Sequence, residues 1–412
     1  MPCPMFIFKQ SRFVLSQFMQ TSDFDFTREF TGEIPASFRG FFDIAAYKFA
    51  VILNSRQSKT PCGNDPWIVN TQRAVMAAIE KGYAILTSIG MNTWELALWA
   101  AASQGGKQVV VLPDTPEGQF DMAIKSLIDD FELDRSKTGW LTFPIEGKAR
   151  SRKIAWPLRD KLALEHADLI LPVSIRPKGN LDRLVAQFGA RNDKDIINDF
   201  RVEYRTKERP LSPVRGEINK ALAARNWDYI THWTHSCHDP WPGQKSSDFY
   251  KNLRASGDRY PNDALGTLKN ILRQKLLRGS ATNMRGGLRA VAFSKHPSQK
   301  VVSLMRWRKR YVRWNFELYG IAIARKTAVE IGIRPVIYGK PEIYKRLAEA
   351  DKPYFQSEGI DGGDWREEAE WRFVGDLDIS NIDSRDLLII VATPDEIEPI
   401  KQLTDAEVVS FT

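Results

Sequence analysis

The feature that most limits what this chain can fold into is a series of short, unbroken apolar runs separated by helical patterns. Lys48–Leu53 (KFAVIL), Tyr83–Ser88 (YAILTS), Gln108–Leu112 (QVVVL) and Ala167–Val173 (ADLILPV) read as buried strands. Between them, Pro66–Lys81 puts Thr71, Val75 and Ile79 on one helical face and stops at Gly82. Thr93–Ser103 is helical and ends at Gly105-Gly106; 118–130 and 151–165 also read as helices, with a short strand at 139–143. Runs without polar alternation have to be covered on both faces, which indicates a parallel sheet between helix layers.

With 412 residues, 43% of them hydrophobic, the chain is too long for one core and long enough for two. Around 227 regular alternation gives way to isolated strand-like runs and more aromatics, the expected start of a second, α+β domain. The expected organisation is an irregular, Phe-rich extension over 1–46, an α/β domain over 47–205, a linker over 206–226 and the α+β domain over 227–412. No apolar run approaches the length of a membrane span, and the first residues lack the basic and long apolar regions of a signal peptide. Cys3, Cys62 and Cys237 are distant and odd in number, which fits a reducing, cytoplasmic setting. A net charge of +8 permits nucleic-acid or polyphosphate partners without demanding them.

In doubly wound sheets ligands bind where strands end and helices begin. Three such ends carry small and polar residues: Asn54-Ser55-Arg56, Thr87-Ser88-Ile89-Gly90-Met91-Asn92-Thr93, and Ser174-Ile175-Arg176-Pro177-Lys178-Gly179-Asn180. Gly90 and Gly179 would let the backbone approach a phosphate, helix N-termini favour anions, and Arg56 and Arg176 could neutralise the charge. The competing reading makes Ser88, Gly90 and Thr93 only a turn and a helix cap. Three such ends together favour a nucleotide- or phosphate-binding site built from Ser55, Arg56, Ser88, Gly90, Thr93, Arg176 and Gly179.

The strand–Ser55-Arg56, helix, strand–Thr87-Ser88-x-Gly90-Met91 and Glu95 order resembles the Rossmann-like domain of the DprA family, within the wider SLOG group of nucleotide-sensing domains. Phe143-Pro144, the block Ala149-Arg150-Ser151-Arg152-Lys153-Ile154-Ala155, the strand at Asp168-Leu169-Ile170 and Gly179 carry the likeness onward, over about 47–190. The resemblance implies binding of a nucleotide, a nucleotide-derived signal or single-stranded DNA, and self-association as a homo-oligomer. Where that family has a Gly-Ile-Asp run, this chain has Met91-Asn92-Thr93-Trp94-Glu95, which favours a small ligand over DNA processing. Phosphoribohydrolase relatives use a glutamate like Glu95 within a Gly-Gly-x-Gly-Thr-x-x-Glu run, and that run is absent here.

The stretch Asp228–Asp239 (DYITHWTHSCHD) gathers His232, His235, Cys237 and His238. On a strand His235 and Cys237 would share one face and His232 the other, so one zinc is hard to build and no metal is expected. His232-Trp233-Thr234 resembles the first motif of ADP-ribosyltransferase-like folds, in which the His and the hydroxyl hold NAD. The helical Leu265–Leu277 closed by Arg278-Gly279 is similar to a segment of DarT-like toxins, and Ala290–Ser294 reads as a strand. A late glutamate in that fold stabilises the oxocarbenium-like ribose. Glu370, ahead of the strand-like Trp371-Arg372-Phe373-Val374, is the first candidate and Glu368 the second, the competing reading being a solvated acidic helix face. The implied catalytic set is therefore His232, Thr234 and Glu370 or Glu368, with NAD as cofactor.

Tyr319-Gly320-Ile321-Ala322-Ile323, Gly332–Tyr338 and the block over 365–372 also resemble AbiGi-like abortive-infection proteins, over about 230–378. Met305–Trp314 (MRWRKRYVRW) interleaves Arg306, Arg308, Lys309, Arg310 and Arg313 with Trp307, Tyr311 and Trp314. Basic residues for phosphates and aromatics for stacking suit a single strand. The aromatics also lie at i, i+4, i+7, the core stripe of an amphipathic helix. The fold expectation is α/β, a Rossmann-like parallel sheet with helices on both faces, followed by a second α+β domain. The functional expectation is a bacterial antiviral-defence or stress protein whose first domain senses a nucleotide or nucleic acid and controls a C-terminal ADP-ribosyltransferase-like effector. The alternatives are a non-enzymatic DprA-like single-stranded DNA-binding protein and a catalytically inactive antitoxin or regulator.

Overall fold

The computed structural model describes residues 24–114, 119–145, 152–191, 194–205, 217–281, 284–308, 312–358 and 365–412. Lys309, Arg310 and Ala149-Arg150-Ser151 lie outside the described residues. The chain divides into two compact units, Met1–Glu208 with Gly243–Pro261, and Arg209–Pro242 with Asn262–Thr412. The second stretch of each unit shows that the chain leaves and re-enters both.

The elements up to residue 196 are β1 (Phe26–Phe30), β2 (Ala36–Gly40), β3 (Phe49–Asn54), α1 (Pro66–Glu80), β4 (Ala84–Thr87), α2 (Asn92–Ser103), β5 (Gln108–Pro113), α3 (Gln119–Phe131), β6 (Thr138–Phe143), α4 (Arg152–His166), β7 (Leu169–Ser174), α5 (Asn180–Gly189) and β8 (Asp195–Ile196). Among the described residues they form a sheet in the order β1-β2-β6-β5-β4-β3-β7-β8. From β6 to β8 every pairing is parallel. β3 is buried along its whole length. Its residues alternate between two cores: Ala50 and Ile52 pack with Ile68 and Val75 of α1, while Val51 and Leu53 pack with Leu162 of α4 and Phe188 of α5. Each core needs its own helix layer, so the expected sheet with helices on both faces is present.

Residues 26–40, within the stretch expected to be irregular, instead carry two strands. β1 and β2 pair antiparallel with each other, and β2 pairs antiparallel with β6, extending the sheet. Strand β2 buries Ala36 and Phe38 and its register with Trp140 and Leu141 is continuous.

The remaining elements are α6 (Lys220–Ala224), β9 (Tyr229–Trp233), α7 (Ser246–Ala255), α8 (Ala264–Gln274), β10 (Leu276–Leu277), β11 (Ala290–Ser294), α9 (Ser298–Leu304), β12 (Trp307–Arg308), β13 (Arg313–Trp314), β14 (Gly320–Ala324), α10 (Arg325–Glu330), β15 (Arg334–Pro335), β16 (Ile337–Gly339), α11 (Pro341–Tyr344), β17 (Phe355–Ser357), β18 (Glu370–Val374), β19 (Leu377–Asp378), β20 (Leu387–Val391), α12 (Ile397–Lys401) and β21 (Glu407–Ser410). Of these, α7 belongs to the first unit, where Phe249, Tyr250 and Leu253 join the core of α1, α2 and α3. The second unit is a sheet in the order β15-β18-β11-β9-β14-β20-β21, antiparallel except for β20 with β21. One face packs on α8, α10 and α12, and the other on α6 and α9, giving the expected second, α+β domain. The helix expected over 265–277 stops earlier: Lys275 takes a left-handed φ of 50° and Leu276-Leu277 become β10.

Candidate functional site

The strand order of the first unit reverses at β3, with β4 on one side and β7 on the other. That is the switch point at which open α/β sheets leave a crevice beyond the strand ends. Four hydrogen bonds fix its rim. Asn54, 3% exposed at the end of β3, accepts Ser174 N–H on Oδ1 (3.2 Å) and donates from Nδ2 to Thr71 Oγ1 (2.8 Å). Ser55 N–H donates to Ser174 O (2.8 Å), and Ser55 Oγ accepts Arg176 N–H (2.8 Å). The ends of β3 and β7 are thereby held together, with Arg56 and Arg176 exposed on either side.

Gly179 precedes α5, and a Cβ there would come within 2.9 Å of Arg176 O, so the tight turn from β7 requires glycine. Lys178 N–H is taken by Asp182 Oδ2 (2.8 Å) in the first turn of α5.

The turn after β4 is more committed than its composition suggests. Gly90 sits at φ 88°, which suits glycine, and its N–H donates to Glu95 Oε1 (2.8 Å). Glu95 Oε2 accepts the Tyr250 hydroxyl (2.9 Å), so Glu95 ties the turn to α7. Ser88 is buried and donates to Val111 O (2.7 Å), while Thr93 is buried in the first turn of α2 with Oγ1 making no hydrogen bond. Of the predicted phosphate-binding residues, Ser55, Arg56, Arg176 and Gly179 line the rim of the crevice, Gly90 and Thr93 stand at the start of α2, and Ser88 is buried below. The sequence places Asn54 at this strand end without marking a role for it, and Tyr250 is missed. A polar residue closing the apolar run KFAVIL is a signal for Asn54; nothing local marks Tyr250.

In the second unit the ends of β9 and β11 and the starts of β14 and β18 form a polar rim. Ser294 pairs with both Thr231 and Glu370, so these three project to one face. His232 projects to the other, opposite Ile321 and against the Phe293 ring (centroids 5.8 Å). The register thus puts His232 and Glu370 on opposite faces of the sheet. His232 Nδ1 lies 2.9 Å from Ala292 O. Thr234 is fully buried and its hydroxyl lies within hydrogen-bond distance of Ala264 O (3.0 Å) and Tyr319 O (3.3 Å). Burial pushes both His232 and His235 below the ordinary imidazole range, His235 well below, where the Arg313 charge adds to the effect. Among the described residues, no three of His, Cys, Asp and Glu converge as a metal-binding set.

Glu370 is ion-paired with Arg372, which is 4% exposed (Nε–Oε1 2.7 Å, Nη2–Oε2 3.2 Å). Arg372 also donates to the carbonyls of Pro353 and Phe355 (3.1 Å each) and to Gln356 Oε1 (2.7 Å), so it ties β18 to β17 and the residues just before it. Glu370 N–H donates to the Tyr338 hydroxyl (3.2 Å), whose pKa burial pushes up to about 12. Glu368 Oε1 accepts Arg308 (3.1 Å) and Asn315 (3.4 Å), yet burial outweighs them and raises its pKa. Glu317 takes the N–H and hydroxyl of Ser236 on its two oxygens (2.9 and 3.1 Å).

The basic segment is not the expected amphipathic helix. β12 and β13 pair antiparallel, with Trp307 opposite Trp314 and Arg308 opposite Arg313, and the two indoles meet edge to face at 5.8 Å. Arg306 is paired with Glu367 (3.0 Å) and Arg308 with Glu368, so acidic residues partly neutralise the hairpin.

No family model matches this chain, and no curated protein matches it. Solved structures similar to it include DNA processing protein A from Helicobacter pylori, whose structure addresses its single-stranded DNA binding mode (12% identity, 43% of this chain and 81% of that one, TM-score 0.30). DNA processing protein A from Streptococcus pneumoniae matches at 11% identity over 43% of this chain and 64% of that one, TM-score 0.30. The molybdenum cofactor carrier protein of Chlamydomonas reinhardtii matches at 14% identity over 36% of this chain and 74% of that one, TM-score 0.24. Likeness at these values carries no argument about function. No helix among the described residues is long and apolar enough to cross a membrane.

Proposed function

We propose that the first unit binds the phosphate of a nucleotide, free or within a single nucleic-acid strand, in the crevice between β3 and β7. The observation that carries this is the reversal of strand order at β3 with two exposed arginines, Arg56 and Arg176, flanking it on ends joined by Ser55 and Asn54. The test is fluorescence anisotropy with a labelled oligothymidylate, competed by ATP and by NAD, for the wild type and an Arg56→Ala/Arg176→Ala variant. Two lost phosphate contacts to a single strand should flatten the slope of log K against log salt by about 1.4. An unchanged affinity and slope would overturn the proposal.

For the second unit the regulatory reading is favoured over NAD-dependent ADP-ribosyl transfer. His232 and Glu370 face opposite sides of the sheet, and the Thr234 hydroxyl is buried against main-chain carbonyls. NAD consumption by the purified protein that is abolished by Glu370→Gln would reverse that preference.

A further inference from the structure

Arg159 on α4 is 3% exposed, although most arginines reach solvent. Its guanidinium lies 4.7 Å from the Trp94 ring and 5.7 Å from the Trp156 ring, and Nη2 is 3.6 Å from Met91 Sδ. It therefore rests against the residue that precedes α2 and against the first turn of that helix. Nε and Nη2 both donate to a single oxygen, Oδ1 of Asp160 (3.0 and 2.7 Å), and the Asn180 side chain at the start of α5 also bonds Asp160. Nη1 is buried and makes no hydrogen bond. Burial pushes this guanidinium below its ordinary value, with Asp160 and Glu95 opposing the shift.

Two further buried polar atoms without a hydrogen bond lie on the segments that meet at the start of α2. One is Thr93 Oγ1 in the first turn of α2, and the other is Gln57 Nε2 in the loop after β3. That loop is tied to the start of α2 by the Asn92 Nδ2–Ser58 O bond (2.8 Å). Buried donors are normally paired, and an anion at this helix N-terminus would offer them an acceptor. The Trp156 indole fills the approach. Its Nε1 lies 3.9 Å from where a Cβ on Gly90 would stand, and Arg56 lies over its ring at 5.4 Å.

We propose that Trp156 covers an anion subsite at the start of α2, and that Arg159 receives a phosphate oxygen of the bound nucleotide when the indole moves aside. This rests on the nucleotide reading above and deepens it. Moving the indole gives up two arginine–ring contacts and replaces them with charge-assisted bonds from Arg56 and Arg159, beside the positive end of the helix. A fork-shaped, weakly hydrated guanidinium is the cation that tolerates waiting in such a place. Trp156 would thus keep the subsite closed until a phosphate competes for both arginines.

The test compares wild type, Trp156→Ala, Trp156→Phe and Arg159→Lys, using ATP and a labelled oligothymidylate as separate probes. Arg159→Lys keeps a charge against Asp160, and Trp156→Ala keeps the Arg159–Asp160 pair, so neither variant strands a buried charge. Trp156→Ala should bind about tenfold tighter, and Arg159→Lys at least about tenfold weaker because a charge-assisted bond is lost. Binding should change the tryptophan emission of the wild type, and this change should be absent in Trp156→Phe. Which probe responds tells a free nucleotide from a strand. Wild-type binding that needs Arg56 and Arg176 but is unaffected by Trp156→Ala and Arg159→Lys overturns the covered subsite alone. Failure of all four proteins to bind either probe overturns both it and the nucleotide reading.

Discussion

Replacing Tyr250 by Phe isolates the bond that organises the glycine turn before α2. Tyr250 is 1% exposed, and its ring stacks on Trp99 (centroids 6.3 Å, 30°) and Phe131 (6.1 Å, 23°). A phenylalanine keeps those contacts and deletes only the hydroxyl that donates to Glu95 Oε2 at 2.9 Å. A hydrogen bond to a charged acceptor is worth about 1.5–3 kcal/mol. In a unit of this size each kcal/mol moves the midpoint by about 2–4 °C, so the first unit should lose roughly 3–12 °C. Differential scanning calorimetry reads the shift, and urea unfolding of the same variant checks the free energy. Glu95→Gln closes a double-mutant cycle, and the coupling should be about 1 kcal/mol or more, because the two side chains share the bond. Glu95→Gln should also speed amide exchange at Gly90, whose N–H donates to Glu95 Oε1 at 2.8 Å. A Tyr250→Phe variant within about 0.5 kcal/mol of wild type, with no coupling to Glu95, would refute the assignment of Glu95 as a positioning residue.

Other consequences follow from single contacts. Gly179→Ala should destabilise the first unit by about 1–3 kcal/mol in urea unfolding and weaken ligand binding, because the new Cβ meets Arg176 O at 2.9 Å and the turn has to open. Arg372→Met should cost the second unit about 3–5 kcal/mol in thermal unfolding, since it strands the largely buried Glu370 carboxylate without its partner. His235 titrates well below 6.5 because burial disfavours its charged form, so the unfolded chain binds more protons as the medium acidifies. Its contribution to stability is present above pH 6.5 and is lost as pH falls toward the folded value; His235→Gln should therefore flatten the decline of the melting temperature on that side, and an unaltered acid limb would count against it.

The parallel sheet is legible in the sequence because β3, β4, β5 and β7 have no polar face, and a strand with two buried faces allows few architectures. The outer strands are not. β1 is exposed over most of its length, and β2 is recognisable only through its register with β6 about a hundred residues later. The site divides in the same way. The position of Ser55, Arg56, Arg176 and Gly179 at strand ends is legible, because the strands themselves are. Glu95 is ambiguous, because the hydroxyl that engages it comes from Tyr250, far along the chain.

The hairpin at 307–314 shows why local pattern fails where partners are distant. Trp307 and Trp314 are seven residues apart, which puts them on one helical face and equally allows them to stand opposite each other across a tight turn. Val312 sits at φ 55°, outside a right-handed helix, and the cross-strand indole contact holds β12 against β13. The same fold alters the meaning of the arginines. Read as a free basic face, Arg306 and Arg308 suit a nucleic-acid backbone, but in the structure Glu367 and Glu368 already neutralise them. A strand binding there would first have to displace two carboxylates, one of them largely buried. Arg56 and Arg176 at the crevice rim are exposed, and the Arg56 guanidinium lies over the Trp156 ring. Charge available for a phosphate is therefore better placed on Arg56 and Arg176 than on Arg306 and Arg308.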